Sequence, residues 1–328
     1  MKIVISVCRE IKERYDAHDV LHSKEFLEDT FSKKGLASEA LYLEASDFDN
    51  AEALKQRIVN SNPSCVFNLF EGLINDSYKE AEFVSILESL NIPYTGNPSR
   101  TLSLCLNKEM SKKVLREHHI PVPKGTVITH ISDLNPDHVT FPSFIKPCCE
   151  DASLGIDEDS LVTTREALYS VLEKKLKEHS KGIIVETFIP GNEYNVGFLG
   201  EYPFEPLGVS VLNYSYHKTL LPFLSYNAKW KAETEEYKVL TPSPDEAIDE
   251  QLKRKIITTA REAGKALGCR NYFRVDMREK DGELFVLDVN PNPDINRDSG
   301  FMRQAYAKGY TYEDVIEKIL KSAITPAN

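Results

Sequence analysis

Residues 2–7, Lys-Ile-Val-Ile-Ser-Val, form a short and nearly continuous apolar run, which predicts a strand buried on both faces. A polar helical stretch follows, then a second short strand around Leu41-Tyr-Leu43 and a third at Cys65-Val-Phe-Asn-Leu-Phe70, which ends in Glu71-Gly72. Residues 81–90 carry helical periodicity up to Asn91-Ile-Pro93. This order predicts a small doubly wound β/α unit. Cys8-Arg-Glu10 stands where a dinucleotide-binding unit would place Gly-x-Gly-x-x-Gly, so the unit is expected to wall a substrate site instead.

After Tyr94-Thr-Gly96-Asn-Pro98 the character changes. The stretch from Asn107-Lys108 to His118-His119 predicts a helix closed by Ile120-Pro-Val-Pro123, and residues 141–147 predict a strand bearing Lys146. Residues 182–200 read as strand, Pro190-Gly191 turn, strand. Residues 201–245 are aromatic and punctuated by proline, with little periodicity; a connection of that length is usually functional. A helix is expected over 246–267, a hairpin over 274–290 and a closing amphipathic helix over 312–324. The divisions fall at 1–96, 97–190 and 191–328.

With 328 residues and 41% apolar side chains, the chain has material for about two or three cores. A net charge of −11 argues against a general nucleic-acid or anionic-membrane surface. There is no signal-like segment and no apolar run of membrane-spanning length, so a cytoplasmic protein acting on small molecules is expected. The six cysteines show no C-x-x-C spacing and read as reduced thiols, and the scattered histidines do not suggest a metal site.

The hairpin carries the most chemistry. Its strands are joined through Asp281-Gly282, and residues two apart on a strand share a face, so Asp288 and Asn290 point together and a register near Asp276 brings all three together. Two carboxylates and an amide oxygen suit a hard cation. Mg²⁺ fits better than Ca²⁺, because it is commonly held by one or two carboxylates plus phosphate. A solvated hairpin with ordinary surface acids explains the same spacing. Lys146, at a strand end before a polar loop, suits phosphate or simply caps an edge strand. Glu186 and Glu193 flank the turn, where they either accept hydrogen bonds from a base and a ribose or are solvated.

Taken in order, Ile92-Pro-Tyr-Thr-Gly96, Asn107-Lys108, Ile145-Lys146-Pro147, Val185-Glu186 with Gly191-Asn-Glu193, Lys229-Trp230, Arg274-Val-Asp276 and Leu287-Asp288-Val-Asn290 resemble the ATP-grasp superfamily, in its D-alanine–D-alanine ligase-like branch. The resemblance implies an α/β protein with the ATP-grasp fold: an N-terminal doubly wound parallel-sheet subdomain, then two α+β subdomains that clamp ATP. It implies that Lys108 and Lys146 contact phosphates, that Glu186 with the backbone of Thr187, Phe188 and Ile189 forms the adenine hinge, and that Glu193 holds the ribose. Lys229 would approach the γ-phosphate, Ser153 would belong to the lid loop, and Arg274 would stabilise the transition state. Asp276, Asp288 and Asn290 would hold one or two Mg²⁺, with Mn²⁺ as a possible substitute. The implied reaction is ADP-forming ligation of a small-molecule carboxylate to an amine through an acyl phosphate. Neither nucleic acid nor membrane is expected as a partner, and a homodimer stays open.

Several positions depart from the family pattern. Asp151 replaces a glycine of the lid loop, Ala152 and Trp230 replace a serine and a tyrosine of the substrate set, and Glu10 stands near the place of an N-terminal glutamate. Asp288 is one methylene shorter than the usual glutamate. Asp294 replaces a glycine in the segment that receives the second substrate, where Ser299 matches a family serine and Arg297 offers a fork for a carboxylate or pairs at the surface. These changes predict a substrate pair other than two D-alanines. The alternatives are a D-alanine–D-alanine ligase with an altered substrate wall and a non-catalytic ATP-binding module.

Overall fold

The computed structural model describes residues 1–9, 15–74, 76–151, 153–214, 221–230, 243–244 and 248–325, with the backbone alone for residues 15–19, Trp230 and Ser243. Strand β1 (Lys2–Cys8) is central in a parallel sheet of order β2-β1-β3, with β2 at Ala37–Leu43 and β3 at Cys65–Asn68. Its continuous apolar run reflects burial on both sides. Ile3, Ile5 and Val7 pack with Leu27 and Phe31 of helix α1 (Tyr15–Lys33), while Val4 faces a second core. Two helices, α2 (Ala45–Asp49) and α3 (Ala51–Asn60), join β2 to β3. Leu54 and Ile58 of α3, with Phe83 and Val84 of α4 (Tyr78–Ser89), fill that second core.

Helix α5 (Ser99–Leu106) leads into α6 (Lys108–Glu117), which Asn107 caps by accepting a hydrogen bond from the Met110 amide at 3.0 Å. The buried residues of α6 are Lys108, Ser111, Lys112 and Leu115, the i, i+3, i+4, i+7 stripe that normally carries apolar side chains. Two lysines are thereby turned inward. Strands β4 (Gly125–Ile128), β5 (Ser143–Pro147), β6 (Leu161–Val162) and β7 (Ile183–Thr187) form an antiparallel sheet of order β4-β7-β5-β6, backed by helix α7 (Arg165–Glu178).

The third sheet has the order β10-β9-β8-β11-β12. It comprises β8 (Glu193–Leu199), β9 (Glu205–Leu212), β10 (Ser243–Pro244), β11 (Tyr272–Lys280) and β12 (Glu283–Pro291), with the short helix α8 (Tyr226–Trp230) between β9 and β10. Helix α9 (Glu250–Ala266) packs on it, capped by Asp249, so the helix expected from 246 begins four residues later within the described chain. The hairpin register places Asp276 opposite Asp288, with a bulge immediately after Asp276. Several elements were not expected, among them β4, α7, β9 in the supposedly aperiodic segment, and helix α10 (Gly300–Ala307), capped by Ser299. Helix α11 (Tyr312–Ile324) closes the chain and packs back against the first sheet, with Val315, Ile316 and Ile319 joining Ile3, Ile5 and Phe67.

The N-terminal unit is fastened to the hairpin through one turn. Gly96 donates its amide to Asn271 Oδ1 at 2.7 Å, and the Asn97 amide and side chain bind Asn292 Oδ1 and the Tyr272 carbonyl at 2.8 and 2.7 Å. Gly96 has φ +91°, and a Cβ there would collide with the Asn292 side chain, so both conformation and space demand glycine. No helix among the described residues is long and apolar enough to cross a membrane.

Candidate active site

The sheets and the α4–α6 region enclose a cavity of about 400 Å³. Strand β11 supplies one wall. Val275 and Met277 enter the core, so Arg274, Asp276 and Arg278 share the opposite, cavity-lining face. Arg274 grips Asp276 with both prongs of its guanidinium, at 2.7 and 2.8 Å. Asn195 and Asn290 donate to the same carboxylate at 2.7 and 2.8 Å. Burial opposes the Arg274 charge, but Asp276 outweighs it and holds the guanidinium above its ordinary pKa.

Asp288 sits on the neighbouring strand with one carboxylate oxygen 3.4 Å from Lys108 Nζ. Burial pushes its carboxyl up, yet Lys108, Lys146 and Lys112 together hold it below the usual range. Lys108 also donates to the Glu150 carbonyl at 2.5 Å and lies 3.5 Å from Asp151, in the loop after β5. Behind them is a buried group of three charges. Glu186 accepts from Lys112, and its other oxygen lies 3.2 Å from Lys146. Burial works against the Glu186 charge, and the two lysines more than compensate and keep its carboxyl below the ordinary range. Lys112 is lowered to about 8, first by burial, which Glu186 opposes and Lys146 reinforces.

The exit of β7 follows directly. The Thr187 and Phe188 amides are committed to the Lys124 and Pro142 carbonyls at 2.8 and 3.0 Å, which fixes the strand exit; Thr187, Phe188 and Ile189 all line the cavity. Glu193 lines it too, with Oε2 held by Arg278 at 3.1 Å and by the Tyr214 hydroxyl at 3.0 Å. Lys229, on α8, lines the cavity, and burial together with Arg274 lowers its pKa. Ser153 reaches the cavity from a left-handed backbone conformation, φ +62°, two residues before Gly155. A Cβ on Gly155 would press on Pro147 Cγ at 2.6 Å, so this glycine lets the loop fold over the strand that carries Lys146.

Of the expected substrate residues, Asp294 and Ser299 line the cavity. Asp294 accepts from the Asn296 amide at 2.8 Å, and Ser299 Oγ caps α10 through the Met302 amide at 3.2 Å. Arg297 is not among the cavity-lining residues. Its guanidinium lies 4.4 Å from the Phe26 ring centre and 5.1 Å from that of Tyr312, with Glu313 at 3.7 Å, the surface pairing that the sequence left open. The Trp230 side chain, Ala152 and Glu10 lie outside the described residues.

Beyond Glu71 and Glu80, which line the cavity without any sequence signal, three residues that the sequence does not single out each leave a trace. Lys112 follows Lys108 by one helical turn, Arg278 continues the alternation of Arg274 and Asp276, and Asn195 lies two residues after Glu193. The donor set accommodates a hard cation. Asp288 keeps carboxylate oxygens in the cavity, and Asn290 directs its amide nitrogen to Asp276, which leaves its carbonyl oxygen for a metal. Asp276 already accepts four hydrogen bonds, the capacity of a carboxylate, so it ligates only by releasing one.

Fold and site define an ATP-grasp protein. The family model for the D-ala D-ala ligase C-terminus matches residues 116–321, and the chain belongs to that family. D-alanine–D-alanine ligase of Carboxydothermus hydrogenoformans is 33% identical over 247 residues, covering 72% of this chain and 74% of that one. D-alanine–D-alanine ligase A of Bacillus cereus is 29% identical over 247 residues, covering 74% and 75%. The crystal structure of the Bacillus anthracis D-alanine–D-alanine ligase complexed with ATP superposes with a TM-score of 0.78 at 21% identity, over 98% of this chain and 97% of that one, a likeness of fold. The chain is therefore an ADP-forming ATP-grasp ligase that makes a carbon–nitrogen bond.

Proposed function

We propose that this ligase activates a small carboxylate, of an amino acid or short peptide, as its acyl phosphate and passes it to an amine, the preferred pair being other than two D-alanines. The observation that carries this reading is a single cavity in which Lys108, Lys146, Lys229 and Arg274 face Asp276, Asp288 and Asn290. ATP would lie with its base along Thr187, Phe188 and Ile189, its ribose on Glu193 and its phosphates toward Lys108 and Lys146. Asp288 and Asn290, with Asp276 once freed, would hold Mg²⁺, which supplies charge neutralisation at the phosphates.

Lys108, Lys146 and Arg274 already hold carboxylates, so nucleotide binding is an exchange of partners. Lys146 can turn to phosphate because Lys112 remains on Glu186. Lys108 leaves Asp151 and Asp288 in the same way. With the γ-phosphoryl group aligned, the substrate carboxylate attacks it in line as the bond to ADP breaks, and Lys229 and Arg274 offset the charge that develops. The amine, as its free base, then attacks the activated carbonyl; the carbonyl–phosphate bond breaks, inorganic phosphate departs and the nitrogen releases a proton. Ser153 would close the lid over the phosphates. We assign the clamp to three units with boundaries near residues 96 and 190, the final helix returning to the first unit.

The substrate end of the cavity is acidic. Glu71 and Asp294 line it, which favours a substrate bearing an ammonium group, while Glu80 beside them keeps its proton near neutral pH, and Arg297, turned to the surface, takes no part in the choice. A second reading is D-alanine–D-alanine ligation itself, favoured by the names of the relatives. ADP release screened over a matrix of carboxylates and amines, with hydroxylamine to trap an acyl phosphate, tests both. Release dependent on a carboxylate, with trapped hydroxamate, supports the mechanism; D-alanine as the best partner on both sides selects the second reading; binding of ATP without turnover on any pair refutes both.

A further inference from the structure

Arg278 is almost fully buried, yet it carries a charge and five donors into the sheet. It donates to the Ile189 carbonyl at 2.9 Å, to Glu193 Oε2 at 3.3 and 3.1 Å through two nitrogens, and to the Pro222 carbonyl at 2.7 Å. Its guanidinium also lies against two rings, 5.2 Å from the centre of Phe188 and 4.8 Å from that of Tyr214. Three separate segments thus meet on one side chain: the hinge, the start of β8 and the loop before α8. That loop has a second anchor, since the Tyr226 amide donates to the Ile156 carbonyl at 3.0 Å, next to the lid glycine. Four residues after Pro222 the chain enters α8, which carries Lys229.

Packing alone would be satisfied here by an apolar side chain of similar length, without the cost of burying a charge. A guanidinium adds directed bonds to carbonyls whose positions then become interdependent. We propose that Arg278 is a positioning residue that ties the nucleotide hinge to the loop leading into α8, the helix that bears Lys229, so that occupation of the hinge sets where that lysine stands. The inference rests on the nucleotide site described above and adds a coupling between its two ends. Both Glu193 contacts converge on Oε2, so the other oxygen is the one a ribose hydroxyl would take, and a pull on the carboxylate is felt by the loop through Arg278.

Amide hydrogen exchange with and without saturating ADP and Mg²⁺ tests the coupling in the full-length protein. In the wild type, nucleotide is expected to slow exchange in residues 187–193 and in residues 222–229 together. In Arg278→Met the hinge response should persist while that of residues 222–229 falls by roughly threefold or more, with exchange in the first sheet unchanged as the control for folding. Arg278→Lys, whose single ammonium cannot span three acceptors, carries the same comparison if the methionine variant fails to fold. Equal responses of residues 222–229 in wild type and variant overturn the coupling and leave the nucleotide site standing. Absence of protection at the wild-type hinge overturns the nucleotide site, and the coupling with it.

Discussion

Lys112 and Lys146 meet on one carboxylate, that of Glu186, although they come from a helix and a strand of different chain segments. Two ammonium groups around one buried anion leave an excess positive charge, and the arrangement lets either lysine leave without stranding Glu186. Lys112→Met should therefore confine Lys146 to Glu186 and withdraw it from phosphate. The expected loss is roughly tenfold in ADP affinity by calorimetry, with about 2 kcal/mol in unfolding free energy. Wild-type affinity in this variant would show that Lys146 has no phosphate role.

Asp288→Asn removes one negative charge from the metal-facing pair while keeping its size. Lys108 retains Asp151 and the Glu150 carbonyl, so stability should change by less than about 1 kcal/mol. The Mg²⁺ concentration that half-saturates ADP binding should rise by about tenfold or more, read by titration calorimetry. An unchanged Mg²⁺ requirement excludes Asp288 as a ligand.

Gly96→Ala tests the joint between the first unit and the hairpin. The added methyl group meets Asn292 in a backbone region unfavourable to side chains, and the Asn97–Asn292 bond must yield. Chemical denaturation is expected to show a loss of about 2–4 kcal/mol, and a loss below about 0.5 kcal/mol would contradict the tight joint.

Glu80 provides a pH signature. Burial above all, with Glu71 and Asp151 nearby, pushes its carboxyl from 4.5 up to about 8, against the amides of Asn292 and Asn68. Between those values the folded state keeps a proton that the unfolded chain has lost, so stability falls as pH rises through the window. Glu80→Gln should flatten that fall and gain about 1–2 kcal/mol at pH 8, measured by denaturation at pH 5.5 and 8. A slope identical to the wild type would mean that Glu80 is ionised throughout.

Much of this arrangement was legible in the sequence, for reasons that differ by residue. The Asp276–Asp288 register followed from an Asp-Gly turn between two alternating strands, and helix α11 from its strong periodicity. Strand β9 is hidden because Pro206 and Gly208 are poor strand formers and the ladder shifts register at Leu207, whose side chain joins the core of the first sheet while Val209 and Val211 join that of the third. Helix α10 has only eight residues, too few for a periodic signal, and its capping serine had been assigned to substrate. Lys112 carries little signal by itself, because a lysine on a helix looks solvated unless its place in the buried stripe is weighed. Arg297 was drawn toward the site by its neighbour Ser299, whereas the aromatic shelf of Phe26 and Tyr312 comes from distant parts of the chain.

The acidic end of the cavity yields a prediction about substrate choice. Asp294 stands where the resembling family has glycine, and burial followed by Asp298 raises its carboxyl, while Lys229 and Arg274 act the other way. Its backbone bond from Asn296 holds the turn, so the side chain lines a preformed wall shared with Glu71 and Glu80. An ammonium group placed there gains attraction from a partly buried carboxylate, and a carboxylate placed there is repelled. Asp294→Asn should lower kcat/KM for substrates that carry an additional ammonium group by roughly tenfold, and leave neutral analogues within about twofold. The comparison uses the pair with the highest ADP release and its uncharged isostere, in wild type and variant. An equal loss for both substrates would assign Asp294 to holding the turn, and a gain for the charged one would reverse the expected polarity of this wall.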